Sequence, residues 1–248
     1  SGGFPGDFIT QTLEDSNIQS DFVQVDEDTR INVKLKSGQE TEINAPGPKV
    51  THAQFEQLLS QIRRTTKDDI VIVAGSVPNS IPSDAYAQIA QITEKTGAQL
   101  VVDAEKDLVE TVLPYRPLFI KPNKDELEVM FNTTVKSDED VIKYGKEILK
   151  KGAQSVIISL GGDGAIYVDQ HQSIKAVNPQ GHVVNTVGSG DSTVAGMVAG
   201  LSMGLNVDEA FQQAVASGTA TAFSEDLATR DAIENIKSQV TISVLDGE

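Results

Sequence analysis

The chain has 248 residues, of which 39% are hydrophobic and 23% charged, and this composition is ordinary for one sizeable globular domain. Its net charge of −16 argues against a nucleic-acid partner, and no apolar run is long enough to predict a membrane helix. The absence of cysteine excludes disulfides and thiolate chemistry, and makes a reducing, cytoplasmic location the simplest expectation.

The segment 21–46 has the alternating pattern of a half-exposed sheet. Apolar and polar residues alternate through Ile31, Asn32, Val33 and the residues that follow, and Pro46 lies at the end of the segment. The segment has too few large apolar residues to form a core. We therefore expect a small β-sheet that lies over another part of the molecule like a lid.

From Thr51 onward, short apolar runs alternate with helical patterns. The runs are typical of parallel strands buried on both faces, and occur at 70–75, 100–103, 118–120 and 156–160. Helices are predicted between them, at 84–95, 124–131 and 138–151. This succession predicts an α/β fold with a mostly parallel, doubly wound sheet. Ligands of such sheets bind at the carboxyl ends of the strands, where Asp103 lies.

The last third of the chain departs from this alternation. The strand patterns at 164–168 and 173–177 are close enough in sequence to be antiparallel. Two helices are then predicted, at 192–203 and 207–224.

The strongest local signal is the run 185–192, which contains Gly188, Ser189, Gly190 and Asp191. Glycines two residues apart allow a tight turn, and the amides at the start of the following helix can bind an anion. An acid in the same turn can accept a proton from an attacking hydroxyl. The alternative is that Asp191 only stabilises the helix dipole.

Three further sets of residues have both a functional and a purely structural interpretation. The glycines of 161–164 could bind nucleotide phosphates, or could form a tight turn between two strands. Asn123 and Glu126 could together order a magnesium ion and its waters, or could form a helix capping box. Arg30 and Lys34 could bind a phosphate from the predicted lid, or could be solvated surface charges.

Taken together, these motifs resemble those of the ribokinase/PfkB family of sugar kinases. The matching stretches follow the family's order along nearly the whole chain, at 29–34, 41–48, 74–78, 121–126, 159–164 and 185–192. The family is therefore favoured far more strongly by the set than by any single motif.

The resemblance implies a ribokinase-like three-layer sandwich, formed as a single domain over residues 1–248, with 21–46 contributing strands to the β lid. It implies ATP and Mg²⁺ as donor and metal ion. Asp191 would be the catalytic base, and the amides of Gly188, Ser189 and Gly190 would stabilise the charge of the transferring phosphoryl group.

The resemblance also implies which residues bind the substrates. Asn123 and Glu126 would order the magnesium ion and its waters, and Arg30 and Asn44 would bind the phosphorylated sugar. The ATP site would consist of Lys121, Ser159, Leu160, Gly161, Gly162, Asp163, Gly164, Gly190 and Asp191.

Within the family, the chain is most similar to members that phosphorylate ketohexose phosphates. The stretches 29–33 and 185–187 favour fructose 1-phosphate, converted to fructose 1,6-bisphosphate, over tagatose 6-phosphate. Members of the family often form homodimers through the lid, so we expect the same arrangement here. Neither a nucleic acid nor a membrane is expected as a partner.

Two departures from the family pattern stand out. Ser80 occupies a position where members usually have glycine. Members also begin with a strand that carries a substrate-binding Asp, so we expect that this strand and part of the lid are absent from the sequence.

Two functions of other classes remain open at this stage. A catalytically inactive protein that binds a nucleotide for regulation would not explain the presence of Asp191. A dinucleotide-dependent oxidoreductase is disfavoured, because no G-x-G-x-x-G motif follows the first predicted parallel strand.

Overall fold

The computed structural model describes residues 1–37 and 39–247, which form two compact units. The first unit consists of Ser1–Lys67 and Ser76–Ala98, and the second of Asp68–Gly75 and the chain from Gln99 onward. Within the described residues, no helix is both long and apolar enough to cross a membrane.

The first unit contains three helices and a hairpin in its described part: α1 (Gly3–Asp15), β1 (Val33–Ser37), β2 (Gln39–Ile43), α2 (His52–Ile62) and α3 (Ala85–Thr96). A capping box between Thr51 and Gln54 begins α2, which buries Phe55, Leu59 and Ile62. This spacing of three or four residues places them on one face of the helix, and α2 packs against α3.

The β1–β2 hairpin confirms the strands predicted in the second half of 21–46. Val33 pairs with Ile43 in its antiparallel register, and Val33, Leu35 and Ile43 are 44%, 47% and 55% exposed. Residues 21–25 form no regular strand, which corrects the predicted sheet in that stretch. Their backbone instead bonds to the first residue, since Ser1 N donates to Val23 O (2.7 Å) and Val25 N donates to Ser1 O (2.9 Å).

The second unit is built on a seven-stranded sheet whose strands follow one another in chain order. The strands are β3 (Ile70–Ala74), β4 (Gln99–Asp103), β5 (Phe119–Ile120), β6 (Ser155–Ser159), β7 (Ala165–Val168), β8 (Gln172–Val177) and β9 (Thr241–Gly247). The first four are parallel, and β7, β8 and β9 are added by antiparallel pairing, so β8 runs in the direction of the first four. The predicted α/β class with a mostly parallel sheet is confirmed.

Helices cover both faces of this sheet. They are α4 (Lys106–Val112), α5 (Lys124–Phe131), α6 (Asp138–Lys151), α7 (Ser189–Ser202), α8 (Val207–Ala222) and α9 (Arg230–Lys237). Ile158 and Val168 lie against Gly145 of α6, whereas the alternate residues Ile157 and Tyr167 belong to the core formed with α7 and α8. A strand with apolar residues on both faces therefore reads as a continuous apolar run.

Candidate active site

The amino end of α7 forms the turn that is predicted to bind an anion. Gly188 precedes the helix with a φ of 77°, a left-handed conformation that glycine adopts without strain. Ser189 N donates to Thr186 O (3.2 Å) and Ser192 N donates to Gly188 O (2.8 Å), which leaves the amides of Gly190 and Asp191 directed out of the helix end. The helix begins three residues earlier than predicted, so the exposed Asp191 lies inside its first turn.

This turn is fastened to α8 through a close approach of the two helices. Ser189 Oγ donates to Gly218 O (2.8 Å), and Thr193 Oγ1 donates to Ser189 O (3.0 Å). A Cβ atom at Gly218 would lie only 2.2 Å from Thr193 Oγ1. Glycine is therefore required at 218, and the backbones of α7 and α8 fix the position of the turn.

The loop that leads into α7 is tied to the chain beyond α8. Asn185 Oδ1 accepts from Val187 N (3.2 Å), and Asn185 Nδ2 donates to Glu225 O (3.1 Å). Val184 N donates to Ala222 O (2.8 Å). These bonds hold the residues that precede α7 against the end of α8 and the residues that follow it.

The glycine cluster after β6 forms a short 3₁₀ turn over Gly161–Asp163, which leads into the antiparallel strand β7. The prediction of a turn between two strands is confirmed. Gly164 has a φ of 93°, and a Cβ atom there would lie 1.9 Å from Ala176 O, so only glycine fits. Gly161 and Gly162 face open space, and their backbone remains accessible to a ligand.

Asn123 and Glu126 form the predicted capping box of α5. Asn123 N donates to Glu126 Oε2 (2.7 Å), and Glu126 N donates to Asn123 Oδ1 (2.8 Å). Glu126 Oε1 takes no part in the box. Because Mg²⁺ typically binds one or two carboxylates and completes its shell with phosphate oxygens and water, this donor set fits a weakly held magnesium ion.

Lys121, which precedes the capping box of α5, forms a buried ion pair with Asp103 at the end of β4. Lys121 Nζ lies 3.3 Å from Asp103 Oδ2, and the two side chains are only 8% and 18% exposed. Burial raises the pKa of the Asp103 carboxyl and the charge of Asp191 raises it further, whereas Lys121 opposes both effects. Sequence reasoning found Asp103 at a strand end but gave it no role.

The glycine turn, Lys121, Asn123 and the start of α7 line one cleft of about 530 Å³. Its volume is within the range of small-molecule and cofactor sites. Of the residues predicted to bind ATP, those that line the cleft are Lys121, Ser159, Gly161, Gly162, Gly164 and Gly190. Leu160, Asp163 and Asp191 do not line it.

Part of the cleft wall consists of residues that sequence reasoning missed. Val183, Val215, Ala222 and Phe223 supply an apolar surface, and Asn178 and Thr219 supply polar groups. They come from segments with no recognisable motif. The apolar wall and the glycine turn together offer surfaces for a base and for phosphates.

Arg30 and Asn44 lie in the first unit. Arg30 is exposed and precedes β1, and Asn44 is exposed and follows β2. The two residues therefore flank the hairpin that was expected to form the lid.

Comparison with known proteins gives consistent results. The model of the pfkB family of carbohydrate kinases matches residues 2–232. A 1-phosphofructokinase of Bacillus subtilis is 41% identical over 244 residues, covering 98% of this chain and 80% of that protein. A D-tagatose-1-phosphate kinase of Bacillus licheniformis is 36% identical over 246 residues, covering 99% of this chain and 81% of that protein.

A solved structure of a candidate phosphofructokinase from Staphylococcus aureus is also similar. Its sequence is 79% identical, and its TM-score is 0.91 over 100% of this chain and 81% of that one. These similarities extend over nearly the whole chain, so the fold is shared and the resemblance is not limited to a single motif.

Proposed function

The chain belongs to the pfkB family of carbohydrate kinases, and on that premise we propose that it transfers the γ-phosphoryl group of ATP to a hydroxyl of a ketohexose phosphate. The observation that carries the proposal is one cleft that combines an accessible glycine turn, a buried lysine and the amino end of α7, next to Asp191. Phosphoryl transfer depends on positioning and on charge stabilisation, and this arrangement supplies both.

Asp191 is proposed as the general base. Its carboxylate is exposed in the first turn of α7, so a substrate hydroxyl can reach it. The amides of Gly188, Ser189 and Gly190 are proposed to stabilise the transferring group, although that of Ser189 also donates to Thr186 O (3.2 Å). Charge that develops on the phosphoryl oxygens would then meet donors that are already oriented.

The nucleotide is proposed to lie along the cleft. The apolar wall near Phe223 would receive the base, and the turn at Gly161 and Gly162, with Lys121, would bind the phosphates. Glu126 would bind Mg²⁺ directly or through water, and Asn123 would help to order the waters around the ion. A magnesium ion bound there would neutralise part of the phosphate charge.

We propose fructose 1-phosphate as the preferred acceptor. The relative with 41% identity is named a 1-phosphofructokinase, and the motif comparison favours the same sugar. Arg30 and Asn44 are proposed to bind the phosphate and hydroxyl groups of this acceptor. Tagatose 6-phosphate and tagatose 1-phosphate are the alternatives, the latter because a 36% identical relative is named for it.

A homodimer formed through the β1–β2 hairpin is proposed as well. Val33, Leu35 and Ile43 share one exposed face of the hairpin, and apolar side chains on an exposed sheet face favour a partner. A sedimentation experiment with Val33→Lys and Leu35→Lys would test this. The wild type should sediment as a dimer and the variants as monomers, and a monomeric wild type would contradict the proposal.

The proposed reaction is tested by measuring ADP release from ATP with Mg²⁺ and each of the three sugar phosphates. The highest kcat/KM is expected with fructose 1-phosphate. A higher value with a tagatose phosphate would reassign the acceptor while retaining the reaction. ATP binding without turnover on any ketohexose phosphate would contradict the proposed function and favour a regulatory nucleotide-binding protein.

A further inference from the structure

The pairing of β4 with β5 brings Asp103 and Lys121 together. Val102 pairs with Ile120 in the parallel register. Asp103 is the last residue of β4, and Lys121 is the first residue after β5. Lys121 N also donates to Val102 O (3.3 Å). The two side chains therefore leave the same edge of the sheet side by side, although they are distant in sequence.

The burial of Lys121 makes a partner necessary. Its ammonium is almost fully removed from water, and an unpaired buried charge is strongly unfavourable. Among the residues that the structure describes, Asp103 supplies the only carboxylate within 4.0 Å of Lys121 Nζ. Asp191 also acts on Asp103, because its charge raises the pKa of the Asp103 carboxyl.

The ammonium of Lys121 lies at the anion-binding turn. A Cβ atom placed on Gly190 would be 3.3 Å from Lys121 Nζ, so no side chain at this position separates the lysine from the turn. A lysine has a long, flexible side chain that would otherwise sample many rotamers. Its fixed position beside Gly190 therefore needs a restraint, and the contact with Asp103 supplies one.

We infer that Asp103 is a positioning residue that holds the Lys121 ammonium beside Gly190, and that it acts on phosphoryl transfer only through Lys121. The inference rests on the proposed kinase function. Asp103 itself makes no contact with the transferring group in this scheme. Its carboxylate orients the lysine, and the lysine and the amides of α7 then act together on the same anion.

A double-mutant cycle tests this dependence. Asp103→Asn is expected to lower kcat by about 10²-fold, because a misplaced catalytic group loses roughly that factor, with a smaller change in the KM for ATP. Lys121→Met is expected to lower kcat by at least as much. The double variant Asp103→Asn/Lys121→Met should then match Lys121→Met alone. If Asp103→Asn lowers kcat by the same factor in both backgrounds, Asp103 acts independently of Lys121 and the inference is wrong.

The conservative variant and a matched control separate positioning from folding. Asp103→Glu keeps the charge and should lose less activity than Asp103→Asn, whereas an equal loss in two folded variants would overturn the inference. Asp246→Asn removes the carboxylate of the surface ion pair with Lys146, and should leave kcat unchanged. Thermal unfolding of each variant shows which of them are folded.

Calorimetric titration with ATP distinguishes the inference from the proposed function. The proteins titrated are the wild type, Asp103→Asn, Lys121→Met and the double variant. Asp103→Asn should weaken ATP binding less in the Lys121→Met background than in the wild type, so the effects of the two substitutions on ATP affinity are non-additive. This measurement needs no sugar. Non-additive binding without sugar turnover would support the inference and contradict the proposed function. Turnover with additive effects would support the proposed function and contradict the inference.

Discussion

Asn178 Nδ2 donates a hydrogen bond of 3.0 Å to the carbonyl of Gly161, so a residue beyond β8 fixes the glycine turn that follows β6. Thr219 Oγ1 on α8 lies 2.9 Å from Asn178 Oδ1 and 2.7 Å from Val215 O, so its one proton is donated to either oxygen. The glycine turn and α8 are thereby connected through a single side chain. The proposed phosphate-binding turn is therefore restrained by the same helix that supports the proposed anion-binding end of α7.

Replacing Asn178 by alanine should weaken ATP binding by about 3- to 10-fold, because one hydrogen bond that orders the turn is lost. The KM for the sugar phosphate should change little. Calorimetric titration with ATP measures the first effect and steady-state kinetics the second. Asn235→Ala, on the exposed side of α9, is the control. An unchanged ATP affinity in Asn178→Ala would show that the turn is ordered without this bond.

Asp191→Asn should lower kcat by about 10²- to 10⁴-fold, with little change in ATP affinity, because the amide cannot accept the proton of the attacking hydroxyl. Asp208→Asn is the matched control, since Asp208 also lies in the first turn of a helix, α8. Both variants should lose a similar, small amount of thermal stability. Comparable kcat values for the two variants would show that Asp191 only stabilises its helix and is not the general base.

Gly218→Ala should destabilise the protein by about 1–3 kcal/mol, because the new methyl group would overlap Thr193 Oγ1 and approach Ser189 O. It should also lower kcat, since both contacts belong to the start of α7. Denaturant unfolding measures the first change and the kinase assay the second. Gly162→Ala, where the methyl group would enter open space, should leave the free energy of unfolding unchanged. Equal stability of the two variants would mean that α7 and α8 separate easily.

Arg30→Ala should raise the KM for the phosphorylated sugar by about 10- to 100-fold, because a charge-assisted hydrogen bond to the phosphate is lost. The KM for ATP should stay the same. Arg63→Ala, which removes an exposed arginine paired with Glu56, serves as the control for loss of positive charge in the first unit. A sugar KM that does not change would identify Arg30 as a surface charge.

The buried hydroxyl of Tyr167 should make the protein less stable at alkaline pH. Burial raises the pKa of this hydroxyl, which also donates to Asp169 Oδ2 (3.0 Å). The unfolded chain therefore releases this proton at lower pH than the folded chain does. The contribution of the protonated Tyr167 hydroxyl to the free energy of unfolding is complete below about pH 10. It falls by about 1.4 kcal/mol per pH unit above that value. Denaturant unfolding of Tyr167→Phe between pH 9.5 and about pH 11 should show a shallower decline than the wild type, and parallel declines would argue against this assignment.

The fold could be predicted largely because six of the seven described strands of the second unit carry their own signal, whereas β9 was not predicted. The run of Val156, Ile157 and Ile158 is apolar at every position, since consecutive side chains meet helices on opposite faces of the sheet. The helices α5 and α6 begin where the Asn123 and Ser137 caps are found. These signals are local, so one sequence is enough to read them.

The errors and omissions have a different physical origin. The stretch 21–25 has the alternation of a strand, but its backbone bonds to Ser1, and no local pattern records that contact. The pairing of Asp103 with Lys121 depends on the register of β4 and β5. Phe223 and Asn178 reach the cleft only after α8 has packed, so their positions follow from tertiary structure.

The near-contact between the backbones of α7 and α8 has a consequence for how this site can vary. Gly196, Gly200 and Gly218 leave almost no side-chain layer between the two helices. Because so few side-chain rotamers lie between α7 and α8, substitutions in the surrounding core have little means of altering the angle of the turn that is proposed to be catalytic.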